Sequence, residues 1–413
     1  MGFGFFFEFN SIGIWNLILQ FLFPQIGIWN LIIGISSQLE FGIFFLEFHI
    51  KLFYKLYNFI FAFALFPYRN AKKNMVKQFV LFFMILFCSV SFGQIGGRYT
   101  YEFLNLTTSP RQAALGGKTI TIYDEDVNQV MFNPATLNAD MDNHLAMNYG
   151  SYYGEASYGT ASYAYTYDRH VQTFHAGISY INYGTFEGYD ENGQATSDFT
   201  GSEAALSLGY AYNIPFTDVH VGVNAKLITS TLESYNSFGG AIDLGFLYIV
   251  ERNDLNFALV IRNIGTQFTT YSGIHEKLPL EIIAGVSQEL EHVPLRWHLS
   301  LENLQQWNVS FSNPVRGETN IDGTTSEEKV SFVNNALRHV VIGAELFPQK
   351  AVNLRLGYNF RRGEELRIND QRNFSGISLG FGLRMNRLKF NYSYSRYTLA
   401  GNSSLFGLIL NFQ

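Results

Sequence analysis

Cysteine is almost missing from this sequence: Cys88 is the only one in 413 residues. Neither a disulfide framework nor a cysteine-ligated zinc site can be built from it. Charge is also scarce, at 15% of residues. The 28 Lys+Arg and 34 Asp+Glu form no basic block, so the electrostatic footprint of a nucleic-acid binder is absent. From Asn143 onward there is no run of about 18 apolar residues, which excludes a membrane-spanning helix there. What the chain does have is aromatic side chains and glycine: 40 Phe and 25 Tyr within a 47% hydrophobic total, and 37 Gly besides. That load excludes a disordered chain.

The first 93 residues read separately from the rest. In 75–93, Lys77 supplies a positive start, Phe79 to Phe87 an apolar core, and Ser91-Phe92-Gly93 a small-x-small end. This is the pattern of a secretory signal, with cleavage expected between Gly93 and Gln94. Phe87 before Cys88 argues against lipoprotein processing, which needs a small residue there. Residues 1–74 contain no Val, Thr or Asp, and Ile12 to Ile18 recurs as Ile26 to Ile32. They read either as two apolar helices broken by Glu8, Pro24, Glu40 and Glu47, or as a spurious extension translated from a misplaced upstream start. The second reading is preferred, and 1–74 is set aside from fold reasoning. Beyond residue 93 the chain is more acidic, with 22 basic against 31 acidic residues.

Strict alternation runs through the remainder. Val352, Leu354, Leu356, Tyr358 and Phe360 alternate with Asn353, Arg355, Gly357, Asn359 and Arg361; Ile377, Leu379 and Phe381 with Ser378, Gly380 and Gly382; Leu295, Trp297, Leu299 and Leu301 with Arg296, His298, Ser300 and Glu302. Each is a strand with one apolar and one polar face. About fourteen such strands follow, near 143–151, 157–167, 171–185, 202–213, 217–231, 237–250, 255–263, 280–290, 295–306, 338–346, 351–362, 374–385, 388–397 and 404–412. A soluble sandwich would show the same period, but the connections separate the two. Tight turns such as Ile214-Pro215-Phe216 and Asn386-Arg387 largely alternate with long loops such as 186–201, 264–279, 307–337 and 363–373. This segregation is how transmembrane barrels are built. The fold expected is therefore all-β: a transmembrane antiparallel β-barrel over 143–413, preceded by a hatch or plug segment over 94–142. It would sit in the cell outer membrane, in contact with its lipid, with long loops extracellular and both termini periplasmic.

Within 94–142 stand Ser109 to Gly117, with Arg111, Gly116 and Gly117, and then Asn133-Pro134-Ala135. This resembles the N-terminal hatch of FadL-like outer-membrane barrels, where a Gly-Gly turn and an Asn-Pro-Ala element precede the first strand. The chain is closer still to the PorQ/PorV group of the Bacteroidetes type IX secretion system. Gln94 to Tyr99, Asn236 to Asp243, Leu301 to Trp307 and Tyr358 to Leu366 carry that likeness, which covers 94–413. One departure is Phe412 standing penultimate before Gln413, where barrels of this kind often end on an aromatic residue. The resemblance implies a non-enzymatic member of an attachment complex that holds a PorZ-like surface protein, with PorU- and PorV-type components beside it. The alternative it allows is a FadL-like channel for small hydrophobic compounds.

No motif supplies catalysis, a cofactor site or a metal site. Ser326-Glu327-Glu328-Lys329 has the S-x-x-K spacing of penicillin-binding enzymes without the partner motifs. Gly117-Lys118-Thr119 lacks the earlier P-loop glycine, because Gln112 stands in its place. Asp124-x-Asp126-x-Asn128 begins like a calcium loop, but Gln129 replaces the turn glycine and Ala135 the bidentate Glu, which favours a hydrogen-bonded turn. His220 and His298 fall on polar strand faces, where a hydrogen bond in the lumen is the ordinary role. Glu364 and Glu365 lie beside Arg361 and Arg362, which favours local ion pairing. The candidate docking surface is the longest loop, where Phe311, Val315, Ile321, Val330 and Phe332 stand among polar groups.

Overall fold

The computed structural model describes residues 99–151, 155–168, 172–190, 192–310, 330–366, 375–396 and 401–412. The expected cleavage site at Gly93 and Gln94, the readings of 1–74 and 75–93, and Phe311, Val315 and Ile321 of the candidate loop lie outside the described residues.

Fourteen strands form one closed antiparallel barrel in which each pairs with its neighbours in sequence. They are β1 (His144–Ser151), β2 (Ser157–Asp168), β3 (Gln172–Phe186), β4 (Phe199–Asn213), β5 (Val219–Leu232), β6 (Tyr235–Val250) and β7 (Leu255–Thr269). The other half is β8 (Glu281–Glu289), β9 (Leu295–Leu301), β10 (Val340–Leu346), β11 (Val352–Asn359), β12 (Ile377–Met385), β13 (Leu388–Arg396) and β14 (Asn402–Asn411). The ring closes where β1 pairs with β14, from His144 opposite Asn411 to Ser151 opposite Ser404. Closure leaves every strand with two partners, so no edge is exposed.

The alternation read from the sequence sorts into two surfaces. On β12, Ser378 is 0% exposed and faces inward, whereas Leu379 is 51% exposed on the outside. On β6, Ile242, Leu244 and Phe246 point out, with Ala241 and Asp243 buried between them. Aromatic rings stack across strands on the outer face: Phe381, Tyr392 and Phe406 lie side by side at 5.6 and 5.1 Å between ring centres. An apolar outside around a polar inside is the solvation pattern of an outer-membrane β-barrel.

The connections distinguish the two ends. At one end the turns are short: 169–171, 214–218, 251–254, 290–294, 347–351 and 386–387. At the other lie 187–198, 270–280, 302–339 and 360–376, together with the shorter 152–156, 233–234 and 397–401. Two of the long connections contain helices, α2 (Phe332–Leu337) and α3 (Phe360–Glu365).

Residues 99–142 run inside the ring. Tyr99 forms an isolated bridge with Lys277, and the Thr100 amide donates to the Lys277 carbonyl at 2.9 Å, both within the long connection after β7. The segment then passes through α1 (Pro110–Ala114) to Asp142, whose carboxylate accepts from the Thr166 amide near the short-turn end. β14 thus ends at the short-turn end. The described chain begins at the long-loop end and crosses the barrel before β1.

Candidate functional site

Two elements of the hatch motif are seated by the wall. Gly116 has φ +95°, a left-handed conformation favoured by glycine, and it turns the chain against β11. A Cβ built on the facing Gly357 would lie 2.1 Å from the Gly116 nitrogen, so both positions require hydrogen as the side chain. Asn133 caps the turn at Pro134–Thr136, its Oδ1 accepting from the Ala135 amide at 2.9 Å and its Nδ2 donating to the Ile120 carbonyl at 2.7 Å. A Cβ on the facing Gly245 would meet that Asn133 oxygen at 2.2 Å. Arg111, Gly116, Gly117, Asn133, Pro134 and Ala135 are thus all placed inside the barrel, buried between wall and neighbouring turns.

Arg111 centres a charged network toward the short-turn end. Its guanidinium donates to both oxygens of Glu345 on β10, at 3.0 and 2.8 Å, and lies 2.8 Å from Asp124. Glu345 also accepts from Arg355 at 2.8 Å, while Arg296 reaches Asp124 at 3.4 Å and Glu289 at 2.6 Å. Glu125 pairs with Arg384 and, at 3.5 Å, with Lys389. Counting Asp126, which Arg111 approaches at 3.5 Å, five cationic side chains meet five carboxylates. Burial alone would lower the affinity of Arg111 for its proton, but Asp124 and Glu345 outweigh it and hold the guanidinium firmly charged. Burial likewise pushes the Asp124 carboxyl up, and Arg111, Lys389 and Arg296 overcome this to hold it well below the usual carboxylate range. The neighbouring Tyr123 hydroxyl is pushed up to about 12 by burial and by Asp140.

Asp124, Asp126 and Asn128 form a hydrogen-bonded turn: the Asp126 amide donates to Asp124 at 3.1 Å and the Asn128 amide to Asp126 at 3.2 Å. His220 Nδ1 donates to Asn213 Oδ1 at 2.7 Å, as its polar strand face suggests. His298 departs from expectation. It is buried with neither ring nitrogen bonded among the described residues.

A second set of charges lies toward the long-loop end. Lys118 donates to both oxygens of Glu281 at 2.7 and 2.6 Å, and Arg262 shares that carboxylate at 3.0 Å while reaching the Leu104 carbonyl. Above them opens a cavity of about 700 Å³. Its floor is the inner segment (Glu102, Thr107, Gly117, Lys118) and its rim includes Glu302 and Arg361. Arg361 pairs with Glu365 at 3.0 Å, the local pairing that the charge pattern suggests. Glu302 is held differently. Its amide donates to the His339 carbonyl at 2.8 Å, and its Oε1 accepts from the Lys118 amide at 3.0 Å. Burial, aided by Glu281, raises its carboxyl above the ordinary value against the pull of Lys118 and Arg361.

Beside this mouth is an ordered aromatic patch. Trp307 packs against Phe332 with tilted rings 4.7 Å apart and stacks on His339 at 5.7 Å. Asn335 Nδ2 and His339 Nε2 both reach the Trp307 carbonyl. Phe332 is 72% exposed and Trp307 48%, with Val333 and Leu337 exposed alongside. Of the candidate docking residues, Phe332 is therefore on this surface and Val330 just precedes it. Trp307 and Val333 were missed by sequence reasoning, as were Lys118, Glu281, Glu302 and Arg361 as cavity residues.

The fold and its filled interior define the class: a closed fourteen-stranded outer-membrane β-barrel occupied by its own amino-terminal segment. No family model matches the chain, and no curated protein matches it. Among solved structures it is similar to a TodX monoaromatic hydrocarbon channel mutant, at 13% identity and a TM-score of 0.46, covering 71% of this chain and 96% of that one. It is also similar to a Pseudomonas aeruginosa FadL homologue, at 11% identity and a TM-score of 0.43, covering 74% and 98%. A KdgM porin stands further off, at 8% identity and a TM-score of 0.28, covering 65% and 99%.

Proposed function

We propose that this barrel is a non-enzymatic outer-membrane anchor for a surface protein, acting in the attachment complex of a type IX secretion system. The partner would be a PorZ-like protein, with PorU- and PorV-type components beside it. The observation that supports this reading is the exposed Trp307–Phe332 patch, held rigid by His339 and Asn335 over a lumen already filled by ion-paired chain. Specific interfaces are centred on buried aromatic anchors within polar rims. Such a centre is useful only if the long loops face the cell exterior.

Gentle affinity purification from the native membrane tests the reading. Wild-type protein should carry a stoichiometric surface partner. Phe332→Asp combined with Val333→Asp should insert normally and lose it. Retention of the partner by that variant would remove the patch from the interface.

A second reading, a channel for small hydrophobic compounds, draws on the open cavity at the long-loop end and on the channel named among the similar structures. The cavity wall is polar and charged, which suits such cargo poorly. Uptake of an aromatic hydrocarbon into proteoliposomes, compared with empty vesicles, tests it directly.

A further inference from the structure

We infer that the cavity at the long-loop end is a socket for a basic group, an ammonium or guanidinium, received by Glu302. The inference rests on the docking reading for its setting but not for its chemistry.

The size is appropriate: about 700 Å³ lies within the range of small-ligand sites. The cations of the wall are already engaged, while two of its carboxylates, Glu302 and Glu102, lie in no ion pair among the described residues. Lys118 is committed to Glu281, and Arg361 to Glu365. Arg362 donates to the Gly376 carbonyl and the Ser378 hydroxyl. Glu102 on the floor accepts from Asn105 at 2.9 Å. Glu302 lies in no ion pair among the described residues, and the only hydrogen bond its carboxylate makes among them is from the Lys118 amide to Oε1. A carboxylate has about four acceptor sites, so most of its capacity is unused.

The carboxylate is also fixed in place. His339 holds the Glu302 backbone from both sides, its carbonyl accepting from the Glu302 amide at 2.8 Å and its Nδ1 contacting the Glu302 carbonyl at 2.7 Å. A Cβ on Gly117 would come within 2.8 Å of Glu302 Oε1, so the glycine keeps that oxygen's side of the cavity clear. A rigid, partly desolvated carboxylate with open acceptor sites binds a charged donor far better than a neutral one. An anion would meet Glu302 and Glu102 with every nearby cation already engaged. The same His339 contacts the Trp307 carbonyl, so socket and aromatic patch share one support.

The basic group can come from a lysine or arginine side chain of the surface partner, or from a free polyamine. Full-length protein in detergent is titrated calorimetrically with agmatine, which carries both kinds of cationic group, and with butylurea as a neutral control. Agmatine should bind and butylurea should not. Glu302→Gln keeps an acceptor for the Lys118 amide and should weaken agmatine at least about ten-fold. Thr107→Lys places an ammonium on the cavity floor and should abolish agmatine binding while raising the melting temperature. Heat-modifiable migration on gels confirms that each variant is folded.

Loss of the co-purified partner with Glu302→Gln identifies the partner's side chain as the source, whereas partner retained with agmatine lost identifies a free amine. Equal agmatine affinity in wild type and Glu302→Gln, or no binding to folded wild type, overturns the inference. Docking through Phe332 would survive that result, because the aromatic variant tests it separately.

Discussion

Arg111 shows how much of this molecule depends on single side chains. Its planar fork satisfies one carboxylate from the wall and two from its own segment, and no other residue type could reach all three in that geometry. Removing it leaves Glu345 buried, and Asp124 half-buried, without their main counter-charge. Arg111→Met should therefore cost about 3–5 kcal/mol in urea unfolding of the folded barrel. Asp124 adds a pH dependence of definite sign. Its folded carboxyl ionises well below the ordinary value, so its stabilising effect is complete above about pH 4 and is lost as the pH falls from there. The melting temperature should fall in this acid range, and Asp124→Asn should flatten that fall while lowering stability at neutral pH. No periodicity announces such a residue. Arg111 and Glu345 are 234 positions apart, and only the closed ring brings them together.

At the level of elements, the strands were legible and their ends were not. Alternation placed all fourteen, because a wall with lipid on one face and polar chain on the other imposes a period of two throughout. The sequence reading ran β9 to 306, but the strand stops at Leu301, just before Asn303 turns left-handed at φ 58°. It ran β11 to 362 because Tyr358 and Phe360 continue the apolar alternation. Instead Asn359 accepts from the Arg362 amide at 2.9 Å and caps α3. It stopped β7 at 263, where Asn263 at φ 58° sits beside a bulge, whereas pairing resumes and runs to Thr269. A left-handed residue ends β9 and a local cap ends β11, whereas β7 continues through its left-handed residue because the ladder resumes beyond the bulge.

The faces of the strands make a further prediction. Leu379→Arg should cost about 2–4 kcal/mol if it lies near the bilayer midplane, and less toward either end. Ser378→Arg should not be milder, because Ser378 is buried against Ser395 and Arg362. Measuring both in bilayers of two thicknesses separates the causes: only the Leu379 penalty should change. Gly357→Val, which drives a side chain into the Gly116 turn, should leave the barrel heat-modifiable but expose residues 110–117 to protease.

Across the whole molecule, the two charge networks divide the lumen by height. The Arg111 set bonds the inner segment to β9, β10, β12 and β13 toward one end, and the Lys118–Glu281–Arg262 set holds it beneath the other. Between them, Asn224 Nδ2 donates to the Val130 carbonyl, and Val127, Val130, Leu137 and Met141 pack against Ala146, Ala164 and Ala211 of the wall. A barrel filled in this way should conduct little. Planar bilayer recordings should show a closed protein, and Arg111→Met combined with Gly357→Val should open it. A large steady conductance in the wild type would contradict the filled interior.

The crossing of the barrel by residues 99–142 also fixes the order in which the molecule can be made. Once β1 meets β14 the ring has no side exit, and the segment inside is a rope through a closed hoop. Either the hoop forms around the rope, or the rope is drawn through a finished hoop. The seats of Leu115, Gly116 and Asn133 against wall glycines leave no clearance for sliding. The expected route is therefore wrapping, with the seam between first and last strands as the closing event. A compact domain wider than the lumen, fused just ahead of Tyr99, discriminates between the routes. Wrapping tolerates the fusion and leaves it standing on the long-loop side, whereas drawing the chain through would stall with the seam unmade.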